Sequence, residues 1–285
     1  MILSDPESSG VLIKTIDGLG PVKATINQTD FSSSDGSYFN SARIGSRNII
    51  LDLVFLAKPT IEHTRQMTYQ IFPVKKQVTL LIETDERKVT TTGYVESNEP
   101  NIFSSLESSQ ISIICPDPYF HSLVNSSVIF SGVDPLFEFP FPSNDGAEPL
   151  IEFGKMYNDY TKVITYDGDS EVGVTMNIHV LDDVGSISIF NSETREAISI
   201  DSSKVETSTG KPISIADDII ICTIPGKKTV KLLREGITTN ILNCIARNPS
   251  WFKLHRGDNI FTYSTDNNDD GITFKVEYNE TYEGI

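Results

Sequence analysis

Short stretches in which apolar and polar residues alternate recur along the chain, and they predict strands. Val78-Thr79-Leu80-Leu81-Ile82-Glu83-Thr84 is rich in β-branched and aliphatic residues. It meets the run 88–95 across the polar turn Asp85-Glu86-Arg87, which makes a hairpin with a short loop. Further runs stand at 11–16, 22–27, 48–56, 109–115 and 123–130. In the second half they recur at 150–153, 172–181, 185–190, 197–200, 204–207, 218–224, 227–234, 237–245, 258–263 and 271–278. Gly, Asn, Asp and Ser separate them, as expected of an all-β sandwich class.

One segment departs from this rhythm. Between Pro59 and Phe72 there is no glycine, and Ile61, Met67 and Ile71 fall on one helical face. Pro59 suits a first turn and Pro73 ends the run, so 60–72 is expected to be the one helix of the protein. Between Val133 and Pro149 come Asp134-Pro135, Phe139-Pro140-Phe141-Pro142 and Ser143-Asn144-Asp145-Gly146. So many prolines do not fit a central strand. Two β domains are therefore expected, 1–133 and 134–285.

Composition narrows the function classes. At 285 residues the chain is long enough for two ordinary domains. No stretch approaches the roughly 20 apolar residues that cross a bilayer as a helix, so no membrane insertion is expected. The first ten residues are acidic and serine-rich, unlike a secretory signal, so the expectation is a soluble protein made in a cytoplasm. Cys115, Cys222 and Cys244 are odd in number and flanked by apolar residues, which suits core positions better than a disulfide framework. The net charge is -16. Residues 1–125 carry 10 basic and 14 acidic side chains, whereas 126–285 carry 13 and 25. Such a surface repels phosphate backbones, so specific nucleic-acid binding is not expected.

Catalytic constellations are missing. His63, His121, His179 and His255 are scattered, and there is no nucleophile elbow, phosphate-binding glycine loop or Cys-x-x-Cys pair. No enzymatic activity, cofactor or metal site is expected, and no ligand-binding residue is assigned. Asp266-Asn267-Asn268-Asp269-Asp270-Gly271, followed by Glu277, fits the letters of an EF-hand calcium loop. Its flanks alternate with a strand period, as in Ile272, Phe274, Val276 and Tyr278, so a polar hairpin turn explains the same letters. Whether that turn takes calcium is left open. Trp251-Phe252 with Tyr263 reads either as core packing or as a sugar-stacking platform.

Several motifs of the first 120 residues occur in a familiar order. They are Ile16-Asp17-Gly18-Leu19-Gly20-Pro21-Val22-Lys23-Ala24, then Asp35-Gly36-Ser37-Tyr38-Phe39-Asn40-Ser41, then Arg43 and Arg47-Asn48-Ile49-Ile50-Leu51. The helix at 60–72 and the hairpin at 77–97 follow. An apolar strand then runs into Cys115-Pro116-Asp117-Pro118-Tyr119-Phe120. In this the chain resembles the bacteriophage distal tail proteins, hub components of siphophage-type tail tips and baseplates. The closing run from Gly257-Asp258-Asn259-Ile260 is similar to that family's C-terminal sandwich.

The resemblance implies a mainly β fold. Residues 1–133 would form a ring-forming belt domain, a β-sandwich or split barrel with one helix and a projecting hairpin. Residues 134–285 would form a galectin-like β-sandwich. It implies a virion structural protein at the tail tip, assembled with itself as a ring, typically hexameric. The ring would join the tail-tube protein to the tail-tip hub or tail-associated protein. Its outer domains would dock receptor-binding or baseplate proteins for host adsorption, and genome DNA would pass through the channel without specific binding. The alternative is a carbohydrate-binding module that contacts the host cell wall.

Overall fold

The computed structural model describes residues 1–134 and 155–285. Most of the proline-rich stretch and the strand expected at 150–153 lie outside the described residues. Met1–Leu123 with Thr281–Ile285 form one compact unit and Val124–Glu280 a second. Antiparallel strands dominate both, as the alternating pattern predicts.

The first unit opens with a one-turn helix α1 (Pro6–Ser9), started by the Asp5 side chain and ended by Gly10. Then come β1 (Val11–Asp17), β2 (Ala24–Asp30), β3 (Ser37–Ile44), β4 (Arg47–Phe55) and helix α2 (Ile61–Ile71). Strands β5 (Gln77–Glu83), β6 (Lys88–Asn101), β7 (Ser108–Cys115) and the start of β8 (Phe120–Ile129) complete it. β1, β4, β7 and β6 lie side by side, and β5 also pairs with β6. Alternate residues of the central strands point to one face: Leu51 and Leu53 from β4, Val89 and Val95 from β6, Ile111 and Ile113 from β7. Val11, Phe72 and Phe120 close over them. Burying each such side chain is worth about 1.5–3 kcal/mol, so this alternation sets the register of the sheet.

Helix α2 forms where proline and spacing placed it, with Thr60 accepting a hydrogen bond from the His63 amide. Its buried face is not the expected one. Thr64 and Thr68 point inward, while Ile61 stays 38% exposed and Met67 and Ile71 are half-buried. The threonines tolerate burial because each hydroxyl is used: Thr64 donates to the Leu56 carbonyl at 2.9 Å and Thr68 to that of Arg65 at 2.7 Å.

The second unit is a β-sandwich. One sheet runs in the order β21 (Ile272–Tyr282), β13 (Thr175–Val180), β16 (Asp218–Cys222), β17 (Thr229–Arg234) and β18 (Ile237–Asn240). The other runs β11 (Thr161–Tyr166), β20 (Gly257–Thr265), β14 (Ile187–Asn191) and β15 (Glu196–Ile200). Two small pairs flank them, β9 (Ser131–Asp134) with β10 (Lys155–Asn158) and β12 (Val172–Gly173) with β19 (Lys253–Leu254). Met176, Ile219 and Phe274 from one sheet meet Ile189, Ile198 and Phe261 from the other in a single core.

Two expectations fail in this half. The segment read as a strand at 204–207 is helix α3 (Ser202–Thr209), so α2 is not the one helix: the described residues hold three α-helices. Asp201 caps α3 by accepting from the Ser203 and Lys204 amides, and Gly210 ends it in the left-handed region. The strand expected over 237–245 stops at Asn240 and passes into a 3-10 turn, Leu242–Cys244, whose Cys244 is buried.

Candidate interaction surfaces

In the first unit the clearest surface is the ribbon β2–β3. Its strands pair with each other from Ala24–Ile44 to Asp30–Ser37 and, among the described residues, with no other strand. The tip closes through the Phe31 amide on the Gly36 carbonyl, where φ is +104° and a residue without Cβ is favoured. Cross-strand side chains knit it further, Asn27 to Ser41 at 3.0 Å and Asn40 to Thr29 at 2.7 Å. All of β2 is exposed on both faces. Ile26, Phe31, Tyr38 and Phe39 are 51–65% exposed. A two-stranded ribbon is marginal alone, and so much exposed apolar surface marks an interaction site. The hairpin at 77–97, by contrast, is joined into the sheet through β6. The ribbon that stands free is therefore 24–44.

Elsewhere in the first unit the family-like motifs converge on one side chain. Arg47, 1% exposed, donates to the carbonyls of Gly18 (2.5 Å), Gly20 (2.7 Å), Pro118 (2.7 Å) and Glu283 (2.6 Å). It therefore ties the Gly-Leu-Gly turn, the Asp-Pro-Tyr-Phe turn and the segment 281–285 together. Burial pulls the guanidinium below its ordinary pKa, which nearby Cys115 and Asp117 oppose. Arg87 adds a second hold: it donates to the Gly284 carbonyl at 2.7 Å and lies 4.3 Å from the Tyr282 ring centre. The arginine fork, always charged and rich in fixed donors, suits a site built of carbonyls.

The other residues singled out from sequence do not assemble into a reactive centre. His121 pairs with Asp117, His179 with Asp218 and His255 with Glu171, so these histidines do not meet one another. His63 is exposed on α2. Among the described residues no three His, Cys, Asp or Glu side chains are placed to hold a metal.

The calcium-like loop is a strand–turn–strand passage, with a 3-10 turn at Asp269–Gly271. One oxygen of each carboxylate is engaged within the chain: Asp266 accepts from the Ser186 amide, Asp269 from the Thr265 amide, and Asp270 from the Tyr160 hydroxyl. Glu277 pairs with Lys275 and accepts from Asn177.

The three aromatics do not make a platform. Phe252 and Tyr263 are core residues at 1% exposure, and only Trp251 reaches the surface, with the Lys228 ammonium 5.4 Å above its ring. Burial raises the Tyr263 phenol pKa further above its ordinary value, and nearby carboxylates add to the shift, so it stays protonated. Cys115 and Cys244 are buried, Cys222 is half-buried and all three are free thiols. Burial also raises the Cys115 pKa, which keeps it inert.

Near one edge of the second unit, Arg234 grips Asp217 in a bidentate pair at 2.7 and 2.5 Å. Burial raises the Asp217 pKa, but the Arg234 and Ser214 hydrogen bonds outweigh it and hold the carboxyl below its usual value. The pair lines a shallow pocket of about 350 Å³ with Lys211 and Ile215. It braces the loop between α3 and β16. Sequence spacing gave no hint of it.

The crystal structure of SPP1 Dit, a hub protein of the adsorption apparatus of phages that infect Gram-positive bacteria, superposes on 96% of this chain. The match covers 94% of SPP1 Dit with a TM-score of 0.63 at 11% identity. The chain has the fold of SPP1 Dit. A chain of the phage P2 baseplate in its activated, calcium-containing conformation aligns over 96% of this chain and 92% of its own length, at a TM-score of 0.45 and 14% identity. No protein-family description and no curated protein matches the sequence. The likeness to SPP1 Dit thus lies in the fold more than in side chains.

Proposed function

We propose that the chain is a structural subunit of a bacteriophage tail tip, a distal tail protein that assembles with copies of itself into a ring, most simply a hexamer. The observation that carries this reading is the SPP1 Dit fold shared along nearly the whole chain. The ribbon β2–β3 adds to it, because it is bare within one copy and presents Ile26, Phe31, Tyr38 and Phe39. The first unit serves as the belt, between the tail-tube protein on one side and the tail-tip hub on the other. The second unit is the outward, galectin-like sandwich on which receptor-binding or baseplate proteins dock. Genome DNA passes through the ring without specific contacts, in keeping with a net charge of -16. The role is non-enzymatic.

Mass measurement and negative-stain imaging of the full chain, alone and mixed with tube and hub proteins, test the reading. Closed rings of one size are expected. A chain that remains monomeric in every mixture overturns it. The carbohydrate-binding alternative has lost its platform, since Phe252 and Tyr263 are buried.

A further inference from the structure

The loop between β6 and β7 presents an unusual tip. Phe103 is 96% exposed, with Ile102 at 39% and Leu106 at 61% beside it. Its φ is +62°, a left-handed conformation that a bulky side chain rarely adopts. The loop is built to hold it there. The Ser104 hydroxyl donates to the carbonyls of Asn101 (3.3 Å) and Leu106 (2.7 Å), and Glu107 accepts from the Phe103 amide. Glu107 is itself fixed by Arg65 of α2 at 2.8 Å, a pair with side chains only 14% and 16% exposed. Its carbonyl also accepts from the Phe55 amide at the end of β4. An aromatic held outward by a braced, strained backbone is a preorganised anchor, because little freedom is lost when it docks.

We propose that Phe103, with Ile102 and Leu106, is the anchor by which one copy of the chain grips the β2–β3 ribbon of the next. The inference rests on the ring reading above and names its contact. A ring of identical subunits closes through two different patches that fit each other. The first unit carries two such patches, the compact apolar tip at 102–106 and the extended apolar ribbon at 24–44. Charge agrees. The strand leading to the tip exposes Glu96 and Glu99, while the base of the ribbon exposes Lys23 and Arg43, all without an ion pair within the chain among the described residues. The apolar tip fills against Ile26, Tyr38 and Phe39, and the charges flank it.

The test uses the full chain. Phe103→Ser is expected to convert rings to monomers at a concentration where the unchanged chain is a ring, with the same far-UV circular dichroism spectrum, because the side chain is almost wholly exposed in its own copy. The melting point falls only by the stabilisation that ring assembly adds. In a Cys222→Ser background, Ser105→Cys is paired with Gln28→Cys, exposed positions beside the tip and on the ribbon opposite Phe39. The pair leaves the anchor and its aromatics in place and is expected to give a ladder of covalent oligomers with a short bismaleimide; either cysteine alone is not. If the unchanged chain never forms a ring, the ring reading fails and takes this contact with it. If it forms rings and Phe103→Ser forms them equally well, or the paired cysteines give no ladder, only this contact is overturned. Intact Phe103→Ser rings that no longer hold tube protein would likewise overturn it, by showing that the tip faces another partner.

Discussion

The guanidinium of Arg47 lies over the Phe120 ring, 4.1 Å from its centre. The two residues come from different motifs of the family-like region, yet they stack at the point where its turns meet. The cation gains from the ring face, which repays part of the cost of removing it from water.

Replacing Arg47 with lysine is therefore not a conservative change. A lysine ammonium has three donors on a single nitrogen and cannot span carbonyls from three segments. Arg47→Lys is expected to destabilise the first unit by about 3 kcal/mol or more, through carbonyls left buried without donors. Denaturant unfolding that reports on the first unit will show it. An unchanged midpoint would show that the carbonyl cage is not a stability element.

Gly18 offers a second test within the same cage. Its φ is +88°, and a Cβ there would collide with the Asn48 carbonyl oxygen. Gly18→Ala is expected to cost about 1–3 kcal/mol from backbone conformation, and more from displacing β4 at the residue next to Arg47. Gly20, where a Cβ meets nothing within 4 Å, is the control, and Gly20→Ala should melt close to the unchanged chain.

Acid sensitivity is expected from Asp217. Its folded pKa is depressed below the ordinary 3.8, so its pair with Arg234 contributes fully above the unfolded value. That contribution is lost as pH falls through the lower folded value. Asp217→Asn should therefore lose about 3–5 kcal/mol at neutral pH, as expected when one member of a buried pair is removed. The loss should shrink toward strongly acid pH as the native carboxylate also protonates. Stability curves for the two proteins that stay parallel across this range would contradict the assignment.

Calcium is expected to leave the protein unchanged. The carboxylates at 266, 269 and 270 already accept hydrogen bonds from the turn and from Tyr160. Specific binding to the folded state would raise the melting point by mass action. Millimolar calcium against a chelator should shift melting by less than about 1 °C, and a rise of several degrees would restore the calcium reading.

Much of the fold was legible because burial writes a period into the sequence. β4, β7, β13 and the first half of β6 bury roughly every second residue and β5 half-buries every second one, and the same alternation in sequence predicts each of them. The ribbon was harder. With neither face of β2 or β3 buried there is no alternation to detect, so only 22–27 was read as a strand and its partner at 37–44 was seen only as a motif. Helix α3 was misread because its single apolar residue, Val205, gives no helical stripe. The informative signals were its ends, Asp201 and Gly210. β11 carries β-branched residues at Thr161, Val163, Ile164 and Thr165 but was passed over beside the proline-rich stretch. Of the candidate surface, Tyr38 and Phe39 were in view from the sequence, whereas Phe103 was not, since exposure and a left-handed backbone leave no mark on residue order.

The fourth acceptor of Arg47 is the Glu283 carbonyl, 236 residues away along the chain. A ribosome that has finished the first 123 residues has made a sheet whose central arginine still lacks one of its carbonyls and whose Arg87 has no Gly284 to hold. The unit that would join a ring is thus completed only after the whole of the second unit, Val124–Glu280, has been made. Incomplete chains would then be handicapped as ring subunits by their own folding, a form of quality control that requires no separate factor.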